Sequence, residues 1–419
     1  MNIYIDRVRY QETVTQISYR DGSIEINSLT ASVIGARVNR GGCWYIVSRQ
    51  GVDADPSDLE KRALSLARDS VCSDFSEAEL FKGSVEIGKE FPSEDEVAKL
   101  VTELCQEVKA SYNVKCEIVV GMHHRVRTIS REGGDEAKES KKFVDIEIGF
   151  LGTTTYGQNI FASSHSAFVA WSANSIVRNI DLLFRDTVSR IGKNIKVKAL
   201  KPYEVGRSQI ILGNEATAAL IHEISHMLSP LYPHSIRLIG FKLFPDEFNL
   251  YDEPNTHDTP AIRFFDDEGV TTRKRVLIEN GVIRDLHHTR ATAKSFSSEP
   301  GSAHGLFTNP TPFHTTLVLA SGDWGEREMI EETKRGFLID GISIAMLEEG
   351  YIRIVPQTSF LIENGEIVES IKIREVRVPL QTLKTVNAIS KNPRTRVSEE
   401  KGWIVSEIAP QIRLEGFVY

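Results

Sequence analysis

The sequence predicts an α+β protein of 419 residues. An amino-terminal α/β domain with long helices and a sheet is expected over 1–200, and a carboxy-terminal β-rich domain over 201–419. Three observations predict this organisation. The chain is too long for one ordinary core. The first half mixes helical and strand periodicity, whereas the second half reads mainly as strands and turns around one strongly helical segment, which carries a His-Glu-x-x-His motif.

The composition is that of a soluble globular protein, with 41% hydrophobic and 26% charged residues. The first residues have no apolar core of signal-peptide length, and no run of 18 apolar residues occurs, so a cytoplasmic protein that does not enter a membrane is expected. The net charge of -8 argues against direct nucleic-acid binding. The four cysteines form no Cys-x-x-Cys pair and are expected to be reduced, partly buried thiols. They are Cys43, Cys72, Cys105 and Cys116.

In the first half, alternating polar and apolar residues predict strands, and apolar residues at helical spacing predict three helices. Gly41 and Gly42 form a candidate hairpin turn, and the domain junction is placed at 197–202. One helix opens at Asp55-Pro56, and a second follows a capping-box pattern that begins at Ser93. The predicted strands cover 23–29, 36–48, 115–121 and 143–150, and the third helix covers 175–191.

The second half is predicted to contain the motif helix over 212–230, a short helix within 324–336, and strands. Asn280-Gly281 and Asn364-Gly365 each predict a type I′ turn between two strands. The two segments are similar hairpins, and true duplication is disfavoured because nothing around them repeats. The predicted strands cover 271–278, 281–286, 314–320, 351–356, 360–362 and 366–378.

The motif helix carries His222, Glu223 and His226. Asn214 is a candidate cap for its start, and Pro230 would end it. Residues four apart on a helix lie on one face, so the two imidazoles are spaced as two ligands of one Zn²⁺ ion, and Glu223 is placed to act as general base on the attacking water. The alternative is a helix that carries these residues by chance. The apolar flanks favour the metal, because a buried polar triad needs a partner.

The second half resembles the TldD/PmbA family, which was first named as modulators of DNA gyrase. The resemblance rests on the Leu-Gly-(x)₆-Leu-x-His-Glu helix and on segments at 265–269, 276–281, 286–293, 312–323 and 359–365. It implies a two-domain fold and a homodimer, or a heterodimer with another family member, that encloses a cavity containing zinc. In TldD-type members the motif histidines bind that zinc and the enzyme cleaves peptides that enter largely unfolded. PmbA-type partners lack the motif and are inert alone.

This sequence departs from the family pattern at two points. Only two residues separate Glu223 from His226, where the family usually has three. The family also takes its third ligand from a cysteine near the chain end, whereas no cysteine follows Cys116 here, and Ser398 lies near that position when the tail is aligned by eye. A neutral hydroxyl is a poor zinc ligand beside a thiolate, so the third ligand is unknown.

Several other residues could take part in the site. The acidic turn of Asp266, Asp267 and Glu268 is a candidate for orienting a ligand or binding a peptide amino end. A further set comprises possible ligands whose alternative is an ordinary surface or core-edge position. It consists of His234, Glu247, Glu253, His257, His287, His288, His304 and His314.

The sequence therefore predicts a cytoplasmic zinc metallopeptidase, with Zn²⁺ as cofactor and a peptide as substrate. His222 and His226 are the expected metal ligands and Glu223 the catalytic base. Because the family's cysteine is absent, the alternative is a weakly active or inert subunit that binds peptide or a second family member.

Overall fold

The computed structural model describes residues 3–51, 55–68, 70–72, 74–154 and 157–419. The strands, in chain order, are β1 (Ile3–Arg20), β2 (Ser23–Arg40), β3 (Cys43–Gln50), β4 (Gly83–Ile87), β5 (Lys115–Arg131), β6 (Glu136–Thr153), β7 (Asn159–Val169), β8 (Lys198–Ala199), β9 (Gly206–Leu212), β10 (Leu250–Asp252), β11 (Arg275–Glu279), β12 (Val282–Ile283), β13 (Ala303–His304), β14 (Thr311–Pro312), β15 (Thr316–Leu319), β16 (Arg335–Glu348), β17 (Tyr351–Glu363), β18 (Glu366–Lys372), β19 (Val376–Pro379), β20 (Ala388–Ile389), β21 (Arg394–Glu400), β22 (Trp403–Ala409) and β23 (Ile412–Val418). The α-helices are α1 (Pro56–Leu66), α2 (Glu94–Ser111), α3 (Ala173–Asn194), α4 (Asn214–Met227), α5 (Arg290–Ala293) and α6 (Glu326–Glu331). Short 3₁₀ helices cover Pro202–Glu204, Ser235–Leu238, Lys294–Phe296 and Leu380–Thr385.

The first half of the chain, up to the end of α3, is built on one sheet that among the described residues has seven strands, in the order β3-β2-β1-β5-β6-β4, with β7 also paired to β6. Apolar faces of α2 and α3 pack on this sheet and form a common core with β1, β5 and β6. Ser93 caps α2 by accepting a hydrogen bond from the backbone N–H of Glu96 at 3.2 Å. The Ser93 cap, the Gly41-Gly42 turn and the three predicted helices are therefore confirmed.

The second half contains two larger sheets and a two-stranded ribbon. One sheet has the order β16-β9-β23-β19-β17-β18-β8, with β20 also paired to β23. The other has the order β12-β11-β10-β15-β22-β21. Both Asn-Gly turns occur as predicted, since Asn280, Gly281, Asn364 and Gly365 all have positive φ. The α+β class is confirmed, and the division near residue 200 stays a prediction.

Helix α4 lies between these two sheets and is buried on every side. All residues of the helix from Ala216 to Ser225 are buried, and its apolar side chains belong to the largest core of the second half. A helix that is apolar all round is stable only inside such a core. This packing fixes the motif residues between strands of both sheets.

The start of α4 differs from the prediction. Gly213 is the N-cap residue, and no side chain caps the helix. The Asn214 side chain instead donates hydrogen bonds to the carbonyl oxygens of Asn392 at 2.8 Å and Ala409 at 2.9 Å. Asn214 therefore ties the start of the helix to the neighbouring tail.

The expectation of reduced thiols is wrong. Cys43 is joined to Cys72, and Cys105 to Cys116, by disulfide bonds. The second bond links α2 to the neighbouring strand β5, and the first links β3 to the segment after α1. The spacing in the sequence does not reveal these pairs, because each forms only when separate elements pack together.

A cluster of buried charges joins the two halves. Arg127 on β5 donates to Glu139 at 3.0 Å and to Asp267 at 2.7 Å, and Arg263 donates to the same oxygen of Asp267 at 2.6 Å. Burial raises the pKa of Glu139, but Arg127 and Lys141 outweigh it and bring the pKa to about 2. Glu139 is therefore ionised at neutral pH, and the cluster is a chain of paired charges across the contact.

The longest helices of the described chain lack the apolar length that crossing a bilayer requires.

Candidate metal centre

The two motif histidines lie on one face of α4. Their ring centroids are 5.3 Å apart, and both rings contact Phe313, which lies just after β14. One nitrogen from each imidazole and one oxygen of Glu223 lie within 4.8 Å of one another. Two histidines one turn apart on a helix can supply two ligands to one zinc ion, and the glutamate beside the first histidine can act as the base.

The His222 ring is held by a carboxylate from the tail of the chain. Its Nδ1 lies 2.7 Å from Oε1 of Glu407 on β22, and Glu407 is fully buried. Burial raises the pKa of Glu407, but Arg396 and His222 hold it well below its usual range. The ionised carboxylate accepts the proton of Nδ1, which leaves the lone pair of Nε2 free for a metal. A carboxylate behind a ligand histidine is the usual way to orient such a ligand.

A second histidine shares the same carboxylate. Nε2 of His314 lies 3.2 Å from Oε1 of Glu407, and Nδ1 of His314 lies 2.6 Å from the hydroxyl oxygen of Ser225. Burial lowers the pKa of His314 to about 4, so the ring is neutral at pH 7. The order serine, histidine, carboxylate resembles a nucleophile chain, but Ser225 is fully buried. We therefore assign the hydrogen bonds from Ser225 through His314 to Glu407 a structural role, in which they hold the Glu407 carboxylate in place.

His226 is also a neutral imidazole. Burial, followed by the charge of His222, lowers the pKa of His226 to about 4. A neutral ring keeps the lone pair that a metal needs. The ring is partly accessible, unlike those of His222 and His314.

Glu223 is placed as a base. Its Oε2 accepts a hydrogen bond from the backbone N–H of Leu347 on β16 at 2.7 Å. Burial raises the pKa of Glu223 above the ordinary value. A carboxylate with a raised pKa is a better proton acceptor near neutral pH.

These residues fit a zinc ion. Two imidazoles lie side by side on α4, and the hydrogen bond that would orient His222 leaves its other nitrogen open. Glu223 stands next to the first ligand. A thiolate ligand is excluded within the described residues, because all four cysteines are in disulfides.

Ser398, which lies near the position of the family cysteine, is close to the metal centre. Its hydroxyl oxygen is 3.4 Å from Nδ1 of His222 and donates to Oε1 of Glu407 at 2.9 Å. It thus contacts the nitrogen that Glu407 already occupies. In this arrangement Ser398 supports Glu407 and does not face the free nitrogen of His222.

The acidic turn is part of the contact between the halves. Asp266, Asp267 and Glu268 are all buried. Asp266 accepts the backbone N–H of Glu268 in the same turn through Oδ1 and that of Ala303 on β13 through Oδ2. Asp267 pairs with arginines, and Glu268 accepts the backbone N–H of Arg290 at 2.7 Å. The arrangement favours a structural role for these three carboxylates over the predicted one in substrate binding.

The remaining histidines and acids fall into two groups. His287, His288, His304 and His314 are buried, so the alternative of an ordinary surface position is wrong for the first three. His287 lies 3.6 Å from Asp252, His288 lies 3.4 Å from Asp285, and His304 accepts from Arg263 at 3.1 Å. His234 and Glu247 are exposed, and Glu253 pairs with His257 and Lys274 away from the motif.

Sequence reasoning missed Glu407, Arg396 and Glu400 as parts of this centre. All three lie on the β21–β22 hairpin, which packs against α4. Glu400 is notable because its Oε2 lies 3.9 Å from Nε2 of His222. The available signal was the alternation along β21, which puts Ser398 and Glu400 on the same face.

A cavity of about 1010 Å³ opens beside the hairpin. It is lined by residues of both halves, including His165 and Glu147 of the first sheet and Asp340 on β16. Ser398 lines it as well, so the cavity reaches the edge of the metal centre. Its volume is at the upper end of the range for small-molecule pockets.

Comparison with known proteins gives consistent matches. A family model described as the PmbA/TldA metallopeptidase C-terminal domain matches residues 205–419. The chain is 26% identical to a protein of Methanothermobacter thermautotrophicus named metalloprotease, over 93% of this chain and 89% of that protein. It is 23% identical to a protein of Saccharolobus solfataricus named zinc metalloprotease TldD homolog, over 63% of this chain and 55% of that one. The crystal structure of TldE from Thermococcus kodakarensis shares the fold, with a TM-score of 0.78 and 16% identity over 99% of this chain and 96% of that chain.

Proposed function

This chain belongs to the TldD/PmbA family, and from that premise we propose that it is a zinc-dependent peptidase that hydrolyses small or unfolded peptides. One observation carries the proposal: His222 and His226 stand side by side on α4, with Glu223 between them and Glu407 behind His222. The names of its relatives support a metalloprotease.

Each residue of the site would have a separate role in peptide hydrolysis. Zinc, when bound, polarises the scissile carbonyl and makes water more acidic. His222 would hold the ion through Nε2, the nitrogen that Glu407 leaves free, and His226 through a nitrogen of the neighbouring ring. Glu223 takes a proton from the attacking water and passes it to the leaving amine. The backbone N–H of Leu347 keeps the Glu223 carboxylate in place.

The cavity beside the hairpin is the proposed entry for the substrate. It is large enough for several residues of an extended chain but not for a folded domain. In the proposed assembly, a homodimer or a heterodimer with another family member encloses this space. The enclosure would restrict cleavage to small or unfolded peptides.

The second candidate is a weakly active or inert subunit that binds peptide or a partner. The absence of a cysteine near the family position favours it, because without a negatively charged third ligand zinc would be held less tightly. Purified protein assayed on an unfolded polypeptide separates the two. We expect cleavage that a chelator abolishes and that added zinc restores. Absence of cleavage with zinc bound would favour the inert subunit.

A further inference from the structure

We propose that Glu400 is the third metal ligand and takes the place of the cysteine that this chain lacks. The inference rests on the proposed zinc site and completes its ligand set as two histidines and one glutamate. The observation behind it is that Oε2 of Glu400 faces Nε2 of His222 at 3.9 Å. Nε2 is the nitrogen that Glu407 leaves free.

The hairpin explains how the ligand position shifts along the chain. Ser398 and Glu400 are two residues apart on β21, so their side chains point to the same face of the strand. Ser398 contacts Nδ1 of His222, and Glu400 faces Nε2 of the same ring. The family's cysteine falls near Ser398 by alignment. In this chain Ser398 contacts Nδ1 of His222, and Glu400, two residues further along the same face of β21, lies opposite Nε2.

The position of Glu400 is well fixed by the backbone. It is the last residue of β21 and pairs with Trp403, the first residue of β22. The two residues between them, Lys401 and Gly402, both have positive φ, as in a two-residue type I′ turn. Such a turn sets the register of the hairpin, so Glu400 cannot slip by one residue without moving to the opposite face.

The distance between Oε2 of Glu400 and Nε2 of His222 is close to that between two ligand atoms of one zinc ion. Two donors on one tetrahedral zinc lie about 3.3 Å apart, because each is about 2.0–2.2 Å from the ion. The gap from 3.9 Å is therefore about 0.6 Å, which rotation of a half-buried glutamate side chain can close.

The charge of Glu400 suits this role. A glutamate brings the negative charge that a thiolate would supply, and two histidines with one glutamate form a known catalytic zinc set. The other contact of the carboxylate is long, 3.6 Å to Nζ of Lys401. One rival donor, His314, is engaged elsewhere, because it bridges Ser225 and Glu407.

The test is the zinc affinity of metal-free protein, measured by competition with a chromophoric chelator. Glu400→Gln keeps the size of the side chain and removes its charge. We expect zinc to bind at least about 100-fold more weakly, which is the upper end of what loss of an outer partner costs. Glu399→Gln is the matched control, because it makes the same change on the exposed, opposite face of the strand. It should bind zinc like the wild type.

The outcomes separate the two proposals. If the wild type binds zinc, His222→Ala loses it and Glu400→Gln keeps wild-type affinity, the ligand assignment is overturned and the proposed function stands. An equal loss in Glu399→Gln would also overturn it, since the effect would then be one of general charge. If the wild type binds no zinc, the proposed function and the ligand assignment are both overturned. Thermal unfolding of each metal-free variant verifies that the fold is kept.

Discussion

Replacing Glu223 with glutamine is expected to lower the turnover of an unfolded peptide by about 10²–10⁴-fold, the usual contribution of a general base. Glutamine cannot accept the proton of the attacking water. Its amide oxygen can still accept the backbone N–H of Leu347, which Glu223 accepts at 2.7 Å. The fold and the metal should therefore be unchanged, and the loss should lie in kcat.

Two further measurements on the Glu223→Gln variant show whether a loss of turnover is due to loss of the base. Its zinc content and its melting temperature should match those of the wild type. Cleavage at the wild-type rate would remove Glu223 from the mechanism. Loss of zinc would show that Glu223 is a ligand and not the base, which the proximity of its carboxylate to both imidazoles makes a real alternative.

Arg127→Ala is expected to have the largest effect on stability, with a decrease in the free energy of unfolding of about 3–5 kcal/mol. Arg127 is 5% exposed and pairs with Glu139 and Asp267, one from each half of the chain. Its removal leaves two buried carboxylates with less compensation, although Arg263 and Lys141 remain. Denaturant unfolding followed by circular dichroism measures the change.

The control for Arg127→Ala is Arg185→Ala on α3. Arg185 also pairs with a glutamate, Glu107, but both side chains are about half exposed. An exposed pair contributes little, so this variant should stay within about 1 kcal/mol of the wild type. If the two variants had equal effects, the buried cluster would not be what holds the halves together.

Local patterns predicted the elements that depend on local physics. The helix with His222 follows from its helix-forming residues and apolar flanks. Its cap does not, because the N-cap is Gly213 and the Asn214 side chain bonds to the tail. The Asn280-Gly281 and Asn364-Gly365 turns follow from the left-handed conformation that these residues tolerate.

The remainder of the site depends on contacts between distant segments. Glu407 meets His222 across 185 positions of the chain, and no periodicity records such a contact. The acidic turn at Asp267 has the composition of a solvated loop, yet Arg127 and Arg263 bury it by pairing with it. The disulfides could not be predicted from the sequence for the same reason, since Cys43 and Cys72 are brought together only by packing.

The central claim is that α4 carries a zinc site, and the most direct measurement is the metal content of the purified protein beside that of His222→Ala. The account predicts about one zinc per chain in the wild type, as one set of ligands implies, and a much lower content in the variant. His222 is the ligand oriented by Glu407, so its loss removes the best-fixed donor. A wild-type protein that takes up no zinc when it is supplied, or a variant that keeps it, would contradict the account.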